Sequence, residues 1–240
     1  METLQVKILE PKNGISPIAQ VLFFTTTATE ALEVDPLCKP TKLLHEHPVR
    51  IISFDLPFHS ETLSSFEGVR RWTKHIEETG HDPLEPFLEK VARWTDSNLD
   101  PTLPVGLMGI SRGAFIAAHL AYKLKKNLPL TLFAPMMHLA YPRLWEHTPP
   151  AFIHTYQLDH LRPFLKDCPI YLSMGNNDEM VDTDKAIVFY QELIREKRLT
   201  QGRHIPIELH LFPSIGMYGH GTSDPIFHEG VQWMLHQLKK

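Results

Sequence analysis

The sequence predicts an α/β fold, a mostly parallel central sheet with helices on both faces. Short apolar runs of strand length recur along the chain, at residues 4–9, 18–24, 49–54, 105–108, 128–133, 170–174 and 207–212. Helical stretches separate most of them, and strands alternating with helices are the pattern of parallel α/β architecture. The inner runs are apolar nearly throughout, which fits strands covered on both faces.

Taken in order, most of the runs are bounded by proline, glycine or polar residues, the punctuation of strand ends. Residues 66–78 and 84–95 read as helices, with Pro83 or Pro86 near a start, where a missing amide costs least. Residues 112–125 form a stronger helix, because Ala114, Ala117, Ala118 and Ala121 give it a small face for close packing. Residues 184–197 make another, with Asp182 or Thr183 as its cap. The last helix spans 225–238, with Asp224 as N-cap and Pro225 in the first turn. Residues 135–163 show little period and hold Trp145 among five prolines (Pro135, Pro142, Pro149, Pro150 and Pro163). They read as a loop with short helical turns, either a short lid over the sheet's carboxyl end or a structural surface excursion.

Composition narrows the class. The 240 residues are 42% hydrophobic and 22% charged, enough for a substantial core and too apolar for wholesale disorder. No repeat or charge block divides the chain, so residues 1–240 are expected to form one domain. The net charge of -4 argues against nucleic acid or an anionic membrane as partner. No apolar run approaches the ~18 residues that a membrane span needs. The first residues include Glu2 and no apolar core segment, so no signal peptide is expected. With two cysteines, Cys38 and Cys168, a reduced cytoplasmic protein is expected. Nothing in the sequence indicates a homo-oligomer. Proline is in excess, 20 of 240 residues against a usual share of about 5%, and its scatter suggests punctuation of strands and loops.

The sharpest motif is Gly109-Ile110-Ser111-Arg112-Gly113, between an apolar strand and the alanine-faced helix. A serine on such a strand-to-helix turn exposes its hydroxyl, and the Arg112 amide at the helix N-terminus can stabilise an oxyanion. The hydroxyl needs a base, and the base an orienting acid. The run 170–174 leads into Gly175-Asn176-Asn177-Asp178, which puts an acid at the sheet's carboxyl edge. The run 207–212 leads into a loop holding His220 between Gly219 and Gly221. The order Ser111, Asp178, His220 is the one this turn type uses. Asp182 and Asp184 could replace Asp178 but are better placed to cap a helix. His138, His154 and His160 precede Asp178 and break the order, and His210 lies inside a strand. No HxxxH or CxxC cluster points to a metal, and neither metal nor cofactor is expected.

These motifs resemble those of the α/β-hydrolase superfamily. The resemblance lies with the group around dienelactone hydrolases, acyl-protein thioesterases and prolyl-oligopeptidase-like catalytic domains. GxSxG matches Gly109–Gly113, GxxDxxV matches Gly175–Val181, and the late glycine–histidine pair matches Gly219-His220. Asp55-Leu56-Pro57-Phe58-His59-Ser60 resembles the group's D-x-P-G-H-G-like turn, with Phe58 and Ser60 where glycine is common. His59 is then a loop residue that supports the site. The group's His-Gly after the second strand is absent, and the chain reads Phe24-Thr25-Thr26-Thr27-Ala28. Thr26 aligns with the glycine whose amide completes the oxyanion hole, although threonine suits positive φ poorly. Thr25, Thr27, His59 and Trp145 are pocket-lining candidates.

The resemblance implies a serine hydrolase that acts through an acyl-enzyme on a small-molecule acyl substrate. A carboxylic ester ranks first, then a thioester, then a short peptide or amide. A catalytically weak or inactive hydrolase-fold binding protein is the alternative that the threonine loop supports. Arg112 could meet an anionic acyl group or be solvated or salt-bridged. Trp72 and Trp94 are expected to pack, and Arg195, Lys197, Arg198 and Arg203 to form a solvated helix end and loop.

Overall fold

The computed structural model describes all residues except 1–3, 60–64, 141–143, 146, 148, 149, 151, 152, 154, 155 and 202–205. Ser60, Pro142, Pro149, His154, Arg203 and His204 therefore lie outside the described residues. Seven strands form one sheet: β1 (Val6–Leu9), β2 (Ala19–Phe24), β3 (Val49–Phe54), β4 (Val105–Ile110), β5 (Leu130–Phe133), β6 (Ile170–Gly175) and β7 (Ile207–Phe212). Their spatial order is β1-β3-β2-β4-β5-β6-β7. β1 is antiparallel to β3, and every other pairing is parallel.

The eight helices of the described residues are α1 (Ala28–Glu33), α2 (Lys39–Leu44), α3 (Ser65–Thr79), α4 (Leu84–Asn98), α5 (Arg112–Leu124), α6 (Leu158–Leu165), α7 (Thr183–Gln201) and α8 (Asp224–Gln237). They divide between the two faces. Strand residues alternate sides, so Leu22 and Phe24 pack into one core with residues of α3 to α7. Val21 and Phe23 point the other way, into a core with α1, α2 and α8. All six residues of β2 and of β6 are buried, as central parallel strands require. Trp72 is fully buried, and Trp94 meets the Phe54 ring edge-on at 5.1 Å.

Much of the proline excess sits at the strand starts. Pro48, Pro104, Pro129, Pro169 and Pro206 immediately precede β3 to β7. Each lends its carbonyl to an amide of the neighbouring strand or, for Pro48, of Ile18 just before β2, at 2.8 to 2.9 Å. Proline is tolerated there because only its acceptor is used.

Several expectations need correction. α1 and α2 were not foreseen, because six residues are fewer than two turns and show no period. α6 ends a segment read as loop, and it carries Pro163 inside it. Described residues of that segment reach inward: Met136, Met137, Leu139, Trp145, Ile153 and Leu158 are buried in the larger core. The N-cap of α8 is Ser223 rather than Asp224, whose carboxylate lies in the first turn and pairs with Lys39. Lys197 is not solvated. It is 5% exposed and ion-paired with Asp167 at 2.9 Å. Among the described residues no helix is long and apolar enough to cross a membrane.

Candidate active site

Ser111 is the single residue between β4 and α5. Its φ of 55° and ψ of -119° turn the chain sharply out of the strand and into the helix. Four hydrogen bonds fix this turn. The Ser111 amide donates to Phe133 O at 2.8 Å, and its carbonyl accepts from Met136, Ala114 and Phe115 at 3.1, 3.1 and 3.2 Å. The flanking glycines are steric necessities. A Cβ on Gly109 would lie 2.3 Å from the Gly113 carbonyl carbon, and one on Gly113 would lie 2.0 Å from Phe24 O. The first turn of α5 thus rests on the backbone at the end of β2.

Asp178 follows β6 and is buried. Its Oδ1 accepts the amides of Met180 and Val181 at 2.9 and 3.1 Å. Its own amide donates to Thr183 Oγ1 at 2.8 Å, and that hydroxyl donates to Gly175 O at 2.7 Å. Asp182 is occupied as the cap of α7, accepting the Lys185 amide at 3.1 Å. His220 follows a 3₁₀ turn, Met217–Gly219. The histidine and acid loops are braced together by Asn177 N on Ser214 Oγ at 2.7 Å and Glu179 N on Tyr218 O at 3.0 Å.

The three side chains form one hydrogen-bonded line. His220 Nδ1 is 2.7 Å from Asp178 Oδ2, and His220 Nε2 is 2.9 Å from Ser111 Oγ. A carboxylate only accepts, so Nδ1 carries the proton and Nε2 offers its lone pair to the serine hydroxyl. Among the described residues the competing histidines lie elsewhere. His138 contacts Lys185 Nζ at 2.9 Å, His160 lies in α6, and His210 stacks on Tyr171 with ring centroids 4.4 Å apart.

The Arg112 amide opens α5, where no preceding intrahelical carbonyl exists to accept it. Across from it lies the threonine loop. The Thr26 carbonyl accepts the Leu56 amide at 2.9 Å, while the Thr26 amide donates to no carbonyl among the described residues. The Thr26 hydroxyl donates to the Glu30 carboxylate. The Thr27 side chain caps α1 by accepting the Glu30 amide at 3.1 Å. Thr25 Oγ1 is buried without a hydrogen-bond partner among the described residues. Trp145 is buried and donates its indole N–H to Leu139 O at 3.0 Å, and with Arg70, Arg71 and Lys74 it borders a groove of about 350 Å³.

His59, by sequence a supporting loop residue, has a partner at the site in the structure. Its Nδ1–H donates to Pro57 O at 2.8 Å, so Nε2 accepts from Arg112 Nη1. Gly68 of α3 lies against the same ring, where a Cβ would come within 2.4 Å of Nε2. Desolvation lowers the Arg112 guanidinium to about 10, and the charge of Glu30 opposes that shift. The guanidinium remains a cation at neutral pH. The roles of Glu30 and Gly68 were missed. The signals for Glu30 are its spacings of four from Thr26 and three from Thr27.

No family model matches the sequence, and no curated protein does. Solved structures do match over nearly the whole chain. Est1E from Butyrivibrio proteoclasticus with ferulic acid bound is 16% identical, with a TM-score of 0.69, covering 99% of this chain and 96% of that one. An S-formylglutathione hydrolase from Agrobacterium tumefaciens is 14% identical, with a TM-score of 0.65 and coverage of 98% and 88%. Acyl-protein thioesterase 2 from Zea mays is 15% identical, with a TM-score of 0.54 and coverage of 98% and 99%. The chain has the α/β-hydrolase fold.

Proposed function

We propose that the protein is a serine hydrolase that cleaves a carboxylic ester of a small or medium-sized substrate through an acyl-enzyme. The observation that carries this reading is the hydrogen-bonded line from Ser111 through His220 to Asp178, on a serine held at positive φ. Ser111 Oγ attacks the carbonyl carbon as its proton passes to His220 Nε2. Asp178 holds the imidazole in the useful tautomer and stabilises the imidazolium. The amides of Arg112 and Thr26 receive the oxyanion. His220 then protonates the leaving alcohol oxygen as the C–O bond breaks. Water then attacks the acyl carbon as His220 takes its proton, and His220 gives that proton to Ser111 Oγ as the acyl–oxygen bond breaks and the carboxylic acid leaves. Residues 135–163 act as a short lid, a role supported by the Met136 amide on the Ser111 carbonyl.

The test is a panel of p-nitrophenyl esters of graded chain length, run beside a thioester and an aminoacyl amide. The thioester arm is included because a thioesterase is among the proteins of the same fold. Hydrolysis is expected on short or medium esters, and Ser111→Ala is expected to lower kcat by about 10⁶-fold. Hydrolysis that survives Ser111→Ala refutes the nucleophile. A folded protein inert on every arm favours a binding role.

A further inference from the structure

The Glu30 carboxylate is used outside its own helix. Thr27 and Glu30 stand at the N-cap and third positions of α1, the spacing of a capping box. In that box the glutamate reaches back to the N-cap amide. Here its Oε2 accepts the Thr26 hydroxyl, one residue before the cap, and the Thr27 hydroxyl at 3.2 Å. Thr26 is therefore tied on two sides, with its carbonyl on the Leu56 amide and its side chain on Glu30. These two anchors restrain the Thr26 carbonyl and side chain, and so narrow the rotation left to its amide. A glycine here would have no side chain to tie, so its amide would depend on the loop alone.

We propose that Glu30 is a positioning residue for the oxyanion hole, holding Thr26 by its hydroxyl and so fixing the direction of the Thr26 amide. This rests on the acyl-transfer reading above. The threonine that departs from the glycine pattern is, in this view, what allows the hole to be preorganised, and preorganised donors are the ones that accelerate the reaction. Two further contacts support it. Gly113 seats the first turn of α5 on Phe24 and Thr25, which sets the Thr26 loop against the Arg112 amide. The Arg112 cation, held on His59 Nε2, attracts the Glu30 charge.

The experiment is a double-mutant cycle of Thr26→Val and Glu30→Ala, with Thr26→Ser as the conservative variant. The readouts are kcat and KM on p-nitrophenyl butyrate, inactivation of Ser111 by a fluorophosphonate, and the thermal midpoint. Complete loss of an oxyanion donor costs about 10²–10³-fold in kcat, so a loosened one is expected to cost about 10- to 50-fold, with KM within about twofold. Each single variant is expected to show that loss in kcat and in inactivation rate. The double variant is expected to lose no more than either, because both remove one tether. Thr26→Ser is expected to regain most of the loss. Should Glu30→Ala fail to fold, Thr26→Val against Thr26→Ser still decides. A lowered midpoint with unaltered kcat, or losses that multiply in the double variant, overturns the proposal. A wild type that the fluorophosphonate does not label overturns the acyl-transfer reading and this proposal with it. Wild-type labelling with unaltered Thr26→Val turnover overturns this proposal alone.

Discussion

Replacing Ser111 by glycine removes the hydroxyl together with the Cβ that makes its backbone costly. A non-glycine residue at a sparsely populated φ/ψ costs about 1–3 kcal/mol, and Ser111 sits at φ 55° and ψ -119°. Its amide and carbonyl are pinned to Phe133, Met136, Ala114 and Phe115, so the turn does not relax in a variant. Glycine adopts positive φ freely but gives back about 0.5–1 kcal/mol through the unfolded chain. The fair comparison is Ser111→Ala, which lacks the hydroxyl and keeps the strain. Ser111→Gly is expected to be about 1 kcal/mol more stable than Ser111→Ala, and both to be inactive. For a chain of this size that is about 2–4 °C in the midpoint. Urea unfolding and calorimetry on the two variants measure it directly. A glycine variant that melts at or below the alanine variant refutes the claim that the elbow stores strain.

Gly113→Ala should do the opposite. Alanine is the better helix former by about 1 kcal/mol, but its Cβ would meet Phe24 O at 2.0 Å and Thr25 N at 2.8 Å, both backbone. The expected outcome is a loss of about 1–3 kcal/mol by urea unfolding and a fall of about 100-fold in ester turnover, as α5 is displaced from the threonine loop. His119, buried in α5 with Nε2 unpartnered among the described residues, is lowered by burial to about 3. The unfolded chain binds the proton near pH 6.5 and the folded one does not, so this contribution is full above 6.5 and lost as pH falls towards 3. Between pH 7 and 5 the loss is about 2 kcal/mol. His119→Leu should remove that much of the pH dependence in urea unfolding, and identical pH profiles for the two proteins would contradict it.

The sheet and its long helices were legible because their signals are local. β2 is apolar but for Gln20 and β4 holds no polar side chain, and α5 declares itself by four alanines on one face. Ser111, Asp178 and His220 were legible for a related reason, since each follows a strand end that the hydrophobic pattern marks. What stayed hidden depended on partners far away in sequence. Lys197 looked like one more solvated cation at a helix end until Asp167, thirty residues earlier, was seen to pair with it. His59 gave no hint that it seats Arg112, or that Gly68 must lack a Cβ to admit its ring. The threonine loop signalled a departure from the glycine pattern. Compensation left only a weak trace, the short spacings from Thr26 and Thr27 to Glu30, on a helix too short to be read.

The same register that closes the core also gathers the site. Phe24 pairs with Gly109 and Gly175 with Phe212, so β2 ends beside β4 and β6 beside β7, the second pair reaching further along the sheet. Thr26, Ser111, Asp178 and His220 all lie just beyond those ends, which is why residues far apart in the chain meet there. The register is held by side-chain alternation into two cores, and a slip of one residue would turn Leu22 and Phe24 into the space of Val21 and Phe23. At the opposite edge the prolines before β3 to β7 bond only through their carbonyls, so they fix where each strand begins without extending it. Strand starts set by proline and strand faces set by packing leave the carboxyl ends little freedom. The remaining adjustment falls to the loops, and there the tight contacts cluster: positive φ at Ser111, the bare α-carbon of Gly113, and the tether of Thr26 to Glu30.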